Sequence, residues 1–240
     1  MPGKRIVAIH QPNFLPWLGY FNKIARADVF ILMDNVQFQK TGGTWVNRVQ
    51  ILVHGEPAWI TLPIVRSYHG THCIYEIEIN GATPWRIKML RTLQANYARA
   101  PFFEKVFPIL EELINFPTSR LAELNINAIR VLTGVLHIDT TKFVLGSTLN
   151  VHGNATELLI EMVKIVNGSA YLSGGGAGGY QQDDMFSAAG LDLLYQDFQH
   201  PSYSQYNAKA VIPGLSIVDA LMNCGFDGTA ALVSNGNGIR

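Results

Sequence analysis

At 240 residues, with 48% apolar and 15% charged side chains, the chain has the composition of one large folded domain rather than of a disordered segment. Eighteen basic side chains balance eighteen acidic ones, which argues against nucleic-acid binding driven by net charge, so no DNA partner is expected. Cys73 and Cys224 stand far apart in no metal-ligand spacing, so neither a disulfide framework nor a metal site is expected, and both read as reduced thiols of a cytoplasmic protein.

Lys4 and Arg5 precede only four apolar residues before His10, so no signal peptide is expected. No uncharged apolar run approaches the roughly 18 residues of a membrane span. Ile6–Ile9 forms a first short strand. It runs into a polar, proline-punctuated loop, His10-Gln11-Pro12-Asn13-Phe14-Leu15-Pro16, and then into a helix from Trp17-Leu18-Gly19-Tyr20. A second strand, Val29–Met33, ends on Asp34-Asn35. Together these form a βαβ unit, whose polar groups gather at the carboxyl ends of its strands, where open α/β sheets place their ligands.

Val49–Val53 and Trp59–Leu62 flank His54-Gly55-Glu56-Pro57 and read as a hairpin, and Ile74–Ile79 as a half-exposed strand. Thr83-Pro84 opens a helix to about Ala98, with the threonine as cap. Pro101 starts a second helix to Leu113, and Pro117-Thr118 introduces a third that Gly134 stops. This block, about 84–134, is predicted as a helical insertion within a single α/β domain spanning 1–240.

Strand-helix alternation then resumes. Thr141–Leu145 is a strand, and Asn154 with Glu157 three residues on caps a helix that Gly168 closes. Ala170–Ser173 is a strand leading to the glycine run 174–179, followed by a short helix to Ala189 and a strand, Leu193–Gln196. A last helix spans about Ser216 to Cys224, and 234–238 looks like a frayed tail. The whole predicts an α/β fold with a mainly parallel, doubly wound sheet.

Candidate chemistry lies in three loops. His10, Gln11, Asn13, Trp17 and Tyr20 crowd the first. Asp34, Gln37, Lys40, Asn47 and Arg48 follow the second strand, a set suited to a carboxylate, a phosphate or sugar hydroxyls; the alternative is a solvated loop with Arg48 in a surface ion pair. His200, Tyr203 and Gln205 follow the last strand, where His200 is either a general base or a packing residue. Ser173, Gly174, Gly176 and Tyr180 mark the glycine run, which suits close backbone approach to a substrate. Gly174, Gly176 and Gly179 satisfy G-x-G-x-x-G, but Asp183-Asp184 at the next helix start would repel a pyrophosphate.

The block His10–Phe21 with Lys23-Ile24 resembles the opening of the WbqC-like proteins. So do Gln37-Phe38 with Lys40, Asn47-Arg48, Tyr171–Gly174 with Gly176-Ala177 and Tyr180, His200-Pro201 with Tyr203 and Gln205, and Leu215–Asp219 with Asn223-Cys224-Gly225. The resemblance implies transfer of glycine or another acyl group onto an amino sugar, in surface-polysaccharide or natural-product biosynthesis. The chain departs from that pattern by one extra glycine before Tyr180 and by Gln181-Gln182.

A more distant similarity links the first loop to pantothenate synthetase and other HUP-type (Rossmann-like) nucleotidyltransferases. Trp17-Leu18-Gly19-Tyr20 stands where their His-x-Gly-His would be, and Asp34-Asn35-Val36-Gln37-Phe38 resembles their second feature. The glycine is kept and both histidines are replaced, so ATP stays open as a cofactor and none is assigned. The expectation is an amide-forming acyl- or aminoacyl-transferase or ligase. Its substrates would be a small-molecule amine and a donor activated on an acyl carrier, a transfer RNA or an adenylate. His10 or His200 would be the base, Asn13, Gln37 and the glycine-run amides the oxyanion donors, and Lys40 and Arg48 the anchors. The alternative is a non-catalytic module that binds a nucleotide sugar or an acyl carrier.

Overall fold

The computed structural model describes residues 3–41, 43–151, 153, 155–174 and 183–235. Among these, five strands form a parallel sheet: β1 (Ile6–His10), β2 (Val29–Leu32), β5 (Phe143–Leu145), β6 (Ala170–Ser173) and β7 (Asp192–Tyr195). Their spatial order is β5-β2-β1-β6-β7, with β1 central and paired to β2 from Val7↔Val29 to His10↔Leu32 and to β6 from Ile6↔Ala170 to Ala8↔Leu172. Counted along the chain this is 3-2-1-4-5, a doubly wound arrangement as predicted, and its direction reverses between β1 and β6.

Successive side chains on a strand face opposite ways, and both faces are covered. Ala8, Phe30, Leu32 and Leu172 point into the larger core, shared with α1 (Leu18–Arg26), α2 (Trp85–Tyr97), α3 (Phe103–Ile114), α4 (Leu121–Val135) and α7 (Ile217–Asn235). Val7, Ile9, Val29, Ile31 and Tyr171 point the other way, onto α5 (Ala155–Ile165) and α6 (Asp183–Ala188). The antiparallel hairpin β3 (Arg48–Val53) and β4 (Glu56–Thr61) lies apart from the sheet and turns at His54-Gly55, both with positive φ, as the sequence predicts. Among the described residues no helix is long and apolar enough to cross a membrane.

Several elements differ from expectation. Ile74–Ile79 is not a strand: the Glu76 carboxylate accepts the Cys73 N–H at 2.7 Å, closing a single 3-10 turn at Ile74–Glu76. Only isolated bridges follow, Ile79 to Ile64 and Glu78 to Arg120. Thr83 engages α2 through its carbonyl, which accepts the Trp85 N–H, rather than through its hydroxyl. Gly134 lies inside α4, and the left-handed residue beyond that helix is His137, at φ 60°. Before β6 the left-handed position is Asn167, at φ 57°, one residue ahead of Gly168. The last helix runs well past Cys224 and is broken at Gly225, whose φ of 69° and contact with Phe102 leave no room for a Cβ. The Asn154 cap, the glycine run from Gly175 to Gly179 and the tail from Gly236 lie outside the described residues.

Candidate functional site

The carboxyl ends of β1, β2 and β6 open into a cleft of about 410 Å³ at the reversal point of the sheet. Its polar wall is His10, Gln11 and Lys23. Its apolar wall is built from Ile9, Met33, Val36, Leu158, Leu159 and Tyr171, with Ala155 and Gly174 at the chain turns. An open α/β sheet collects its ligands at such a point because neighbouring crossovers run off to opposite faces and leave a crevice.

The loop 11–16 forms one rim, held by distant groups that satisfy its carbonyls. The Gln11 carbonyl accepts both His10 Nδ1–H (3.2 Å) and the Tyr20 hydroxyl (2.9 Å). Asn125 on α4 donates to the Pro12 carbonyl (2.8 Å), Ser216 Oγ to Leu15 (2.7 Å) and the Ile217 N–H to Pro16 (2.8 Å). The prolines restrict the loop, and Asn125 and Ser216 fix its register from the far end of the chain.

A carbonyl can only accept, so its contact fixes the hydrogen of His10 on Nδ1 and leaves Nε2 an acceptor. The ring packs edge-on to Trp17 (centroids 5.8 Å apart) and Tyr20 (4.7 Å). Burial, with the Lys23 charge nearby, lowers its pKa to about 3, so the imidazole is neutral at ordinary pH. Trp17 continues a run of aromatic contacts to Trp45 (5.4 Å) and Trp59 (5.0 Å from Trp45), and Gly19 admits it: a Cβ there would lie 2.8 Å from Trp17 Nε1 and 2.9 Å from Phe198. Packing therefore requires a glycine at position 19.

Lys23, which follows the opening block of the family resemblance, is the cation among the described residues of the cleft wall. It is 3% exposed, its Nζ donates to the Ile9 carbonyl at 2.9 Å, and it lies 5.9 Å from the Tyr171 ring centroid. Burial lowers its pKa to about 7, so near neutrality the amine is partly uncharged. No signal of this burial was present in the sequence: Asn22, Lys23 and Arg26 share one face of α1, a pattern that reads as a solvated stripe.

The other candidate residues are placed elsewhere. Asn13 is buried in the rim loop. Asp34 accepts the Ser147 N–H and hydroxyl, both at 2.7 Å, and so ties β2 to the segment after β5. Gln37 is exposed, with its backbone bridged to Cys73, and Asn47 donates to the Leu62 carbonyl. Lys40 lies 4.2 Å over the Tyr68 ring and donates to the Tyr68 carbonyl, while the Arg48 guanidinium rests 4.3 Å over Trp59 and against Gly43. Neither cation lines the cleft.

His200 donates Nδ1–H to the Pro201 carbonyl (3.2 Å) and packs near Phe198 and Tyr203; its Nε2 is buried with no partner among the described residues, and burial lowers its pKa. Tyr203 donates to the buried Asp219 (2.8 Å), which also accepts the Tyr97 hydroxyl (3.0 Å), and Gln205 exchanges two bonds with Ile212. Ser173 is buried at the end of β6, Gly174 borders the cleft, and Gly176 and Tyr180 lie outside the described residues.

Comparison with known proteins agrees with the resemblance. The model of the WbqC-like protein family matches residues 11–231. The chain is similar to the uncharacterized protein Rv1507c of Mycobacterium tuberculosis, 29% identical over 222 residues that cover 91% of this chain and 94% of that one. No solved structure matches it.

Proposed function

The chain belongs to the WbqC-like protein family, and from that premise we propose that it is a cytoplasmic biosynthetic enzyme that forms an amide, moving an acyl or aminoacyl group from an activated donor to a small-molecule amine. The observation that carries this reading is the near-neutral amine of Lys23 beside the neutral imidazole of His10, in a cleft at the reversal point of the sheet.

Amide formation needs an acceptor that has lost its ammonium proton and a group that stabilises charge on the carbonyl oxygen. An uncharged Lys23 Nζ takes that proton. The freed amine attacks the acyl carbon, and the tetrahedral intermediate collapses as the donor's leaving group departs, a thiolate, a tRNA hydroxyl or an adenylate phosphate, with the second proton shed by the attacking nitrogen passing to the departing sulfur or oxygen. Having gained the proton, Lys23 is a cation in a poorly hydrated site, where it stabilises the oxyanion most effectively. Nε2 of His10, an acceptor, orients an N–H of the attacking amine. This assigns proton removal to Lys23, whose pKa near 7 matches the task, rather than to His10, which near 3 is too weak a base, or to His200, which does not border the cleft.

The test is product detection. The purified protein is offered acyl and aminoacyl thioesters, aminoacyl-tRNA, or ATP with free acids, together with a panel of amino sugars and other amines. Amide products are sought by mass spectrometry. The expected result is an amide with at least one donor class and its loss in Lys23→Met. Saturable binding of a nucleotide sugar or an acyl carrier, with no product from any donor, would establish the binding-module alternative instead.

A further inference from the structure

We propose that the cleft takes a ligand with an apolar aliphatic or aromatic chain ending in a carboxylate or its acyl derivative, the chain lying among Met33, Val36, Leu158 and Leu159 and the head group at Lys23. The inference deepens the transfer reading, and rests on it only for naming this ligand the donor.

The walls carry the argument. Ile9, Met33, Val36, Leu158, Leu159 and Tyr171 surround the space, and Lys23 is the sole charged side chain among the described residues that line it. A sugar or a nucleotide placed there would bury hydroxyls and phosphates against aliphatic carbon and leave them unpaired. An alkyl or arylalkyl chain suffers no such penalty and gains about 0.8 kcal/mol for each methylene it buries. A volume of about 410 Å³ suits a small ligand of this kind.

The head group follows from charge. Among the described residues the Lys23 ammonium has one hydrogen-bond partner, the Ile9 carbonyl, and a carboxylate in the cleft is the ligand group that complements its remaining donors. Among the described residues the titratable groups that face it are His10 at the end of β1 and Tyr171 on β6. No carboxylate side chain is among the described lining residues, so an acidic ligand meets no opposing charge there.

The experiment is titration calorimetry of the intact protein with acetate, butyrate, hexanoate and octanoate, and with the N-acetylcysteamine thioesters of the same acids. Affinity is expected to rise about fourfold per methylene until the cleft is full. Because a bound carboxylate requires the ammonium form, the acids should take up close to one proton from buffer at pH 8.5 and almost none at pH 6. The uncharged thioesters should take up none. Lys23→Met should weaken the acids about 10- to 100-fold and spare the length dependence of the thioesters.

Affinity independent of chain length, binding of the acids without proton uptake at pH 8.5, or no binding of either series would each overturn the inference. Length-dependent binding without amide formation would leave it standing and remove the transfer reading. Amide formation from acetyl and octanoyl donors with equal efficiency would remove the inference and leave the transfer reading.

Discussion

The Nζ atom of Lys23 lies 2.9 Å from the carbonyl oxygen of Ile9, on a side chain 3% exposed, so a helix residue is tied to the last turn-in of the central strand at the edge of the cleft. That bond orients the amine but does not replace the water it has lost, and its pKa falls from 10.5 to about 7.

The loss fixes the sign of one prediction. Below pH 7 Lys23 is charged in both folded and unfolded chains, and folding bears the full cost of dehydrating it. Between pH 7 and 10.5 the folded chain sheds the proton while the unfolded chain keeps it, so stability rises with pH. Lys23→Met should therefore be more stable than the parent at pH 6, by on the order of a few kcal/mol, with the gap closing toward pH 10 in urea melts. Its amide-forming turnover should fall by about 100-fold or more. A variant both less stable and fully active would remove Lys23 from the chemistry.

His10 acts with the same sign in a lower pH window. Its pKa is lowered from 6.5 to about 3, so between these values the unfolded chain binds a proton that the folded chain refuses, and stability is lost as pH falls from 6.5 toward 3. His10→Gln removes this contribution. Its stability, measured against the parent from pH 7 to pH 3, should decline less steeply through that interval.

Gly19 leaves the space in which Trp17 and Phe198 both pack against α1. In an unobstructed helix Gly→Ala stabilises by about 1 kcal/mol. Here the added methyl must displace an indole, and Gly19→Ala should cost about 1–3 kcal/mol while shifting tryptophan emission and lowering turnover. A gain in melting temperature with unchanged emission would contradict the packing described.

Asp219 is buried and accepts from the Tyr97 and Tyr203 hydroxyls, and Tyr97 in turn accepts the Leu52 N–H, so one carboxylate joins α7, α2, the hairpin and the loop after β7. Asp219→Ala strands two buried hydroxyls and should destabilise by about 2–4 kcal/mol in denaturant titration. Asp219→Asn should cost less, since one amide oxygen still accepts.

His200 offers a clean contrast with Lys23. It packs with Phe198 and Tyr203 and does not border the cleft. His200→Ala should lower the melting temperature by a few degrees and leave kcat within about threefold, whereas a 100-fold loss of kcat in a folded variant would place it in the reaction.

Much of this molecule is readable along the chain because strand and helix periodicities are local. β1, α1 and β2 follow from the apolar runs on either side of the rim loop, the hairpin from its flanked His54-Gly55 turn, and α2 to α4 from apolar spacing punctuated by proline. The crowding of His10, Gln11, Trp17 and Tyr20 likewise shows without coordinates, since those residues are neighbours in sequence. Ile74–Ile79 misleads because the Glu76 side chain captures a backbone N–H, a local contact that alternation does not encode.

Sequence by itself determined the α/β class, the family and the element that forms the rim of the cleft. Tertiary structure alone decided the strand order, the separation of Lys40, Arg48 and His200 from the cleft, and the place of Lys23 in its wall. The reason is that a lysine's pKa depends on what excludes water from it. For Lys23 that is α1 wedged under α7, where Asn22 donates to the Val233 carbonyl, together with the β1 and β6 ends, contributed by residues far apart in the chain.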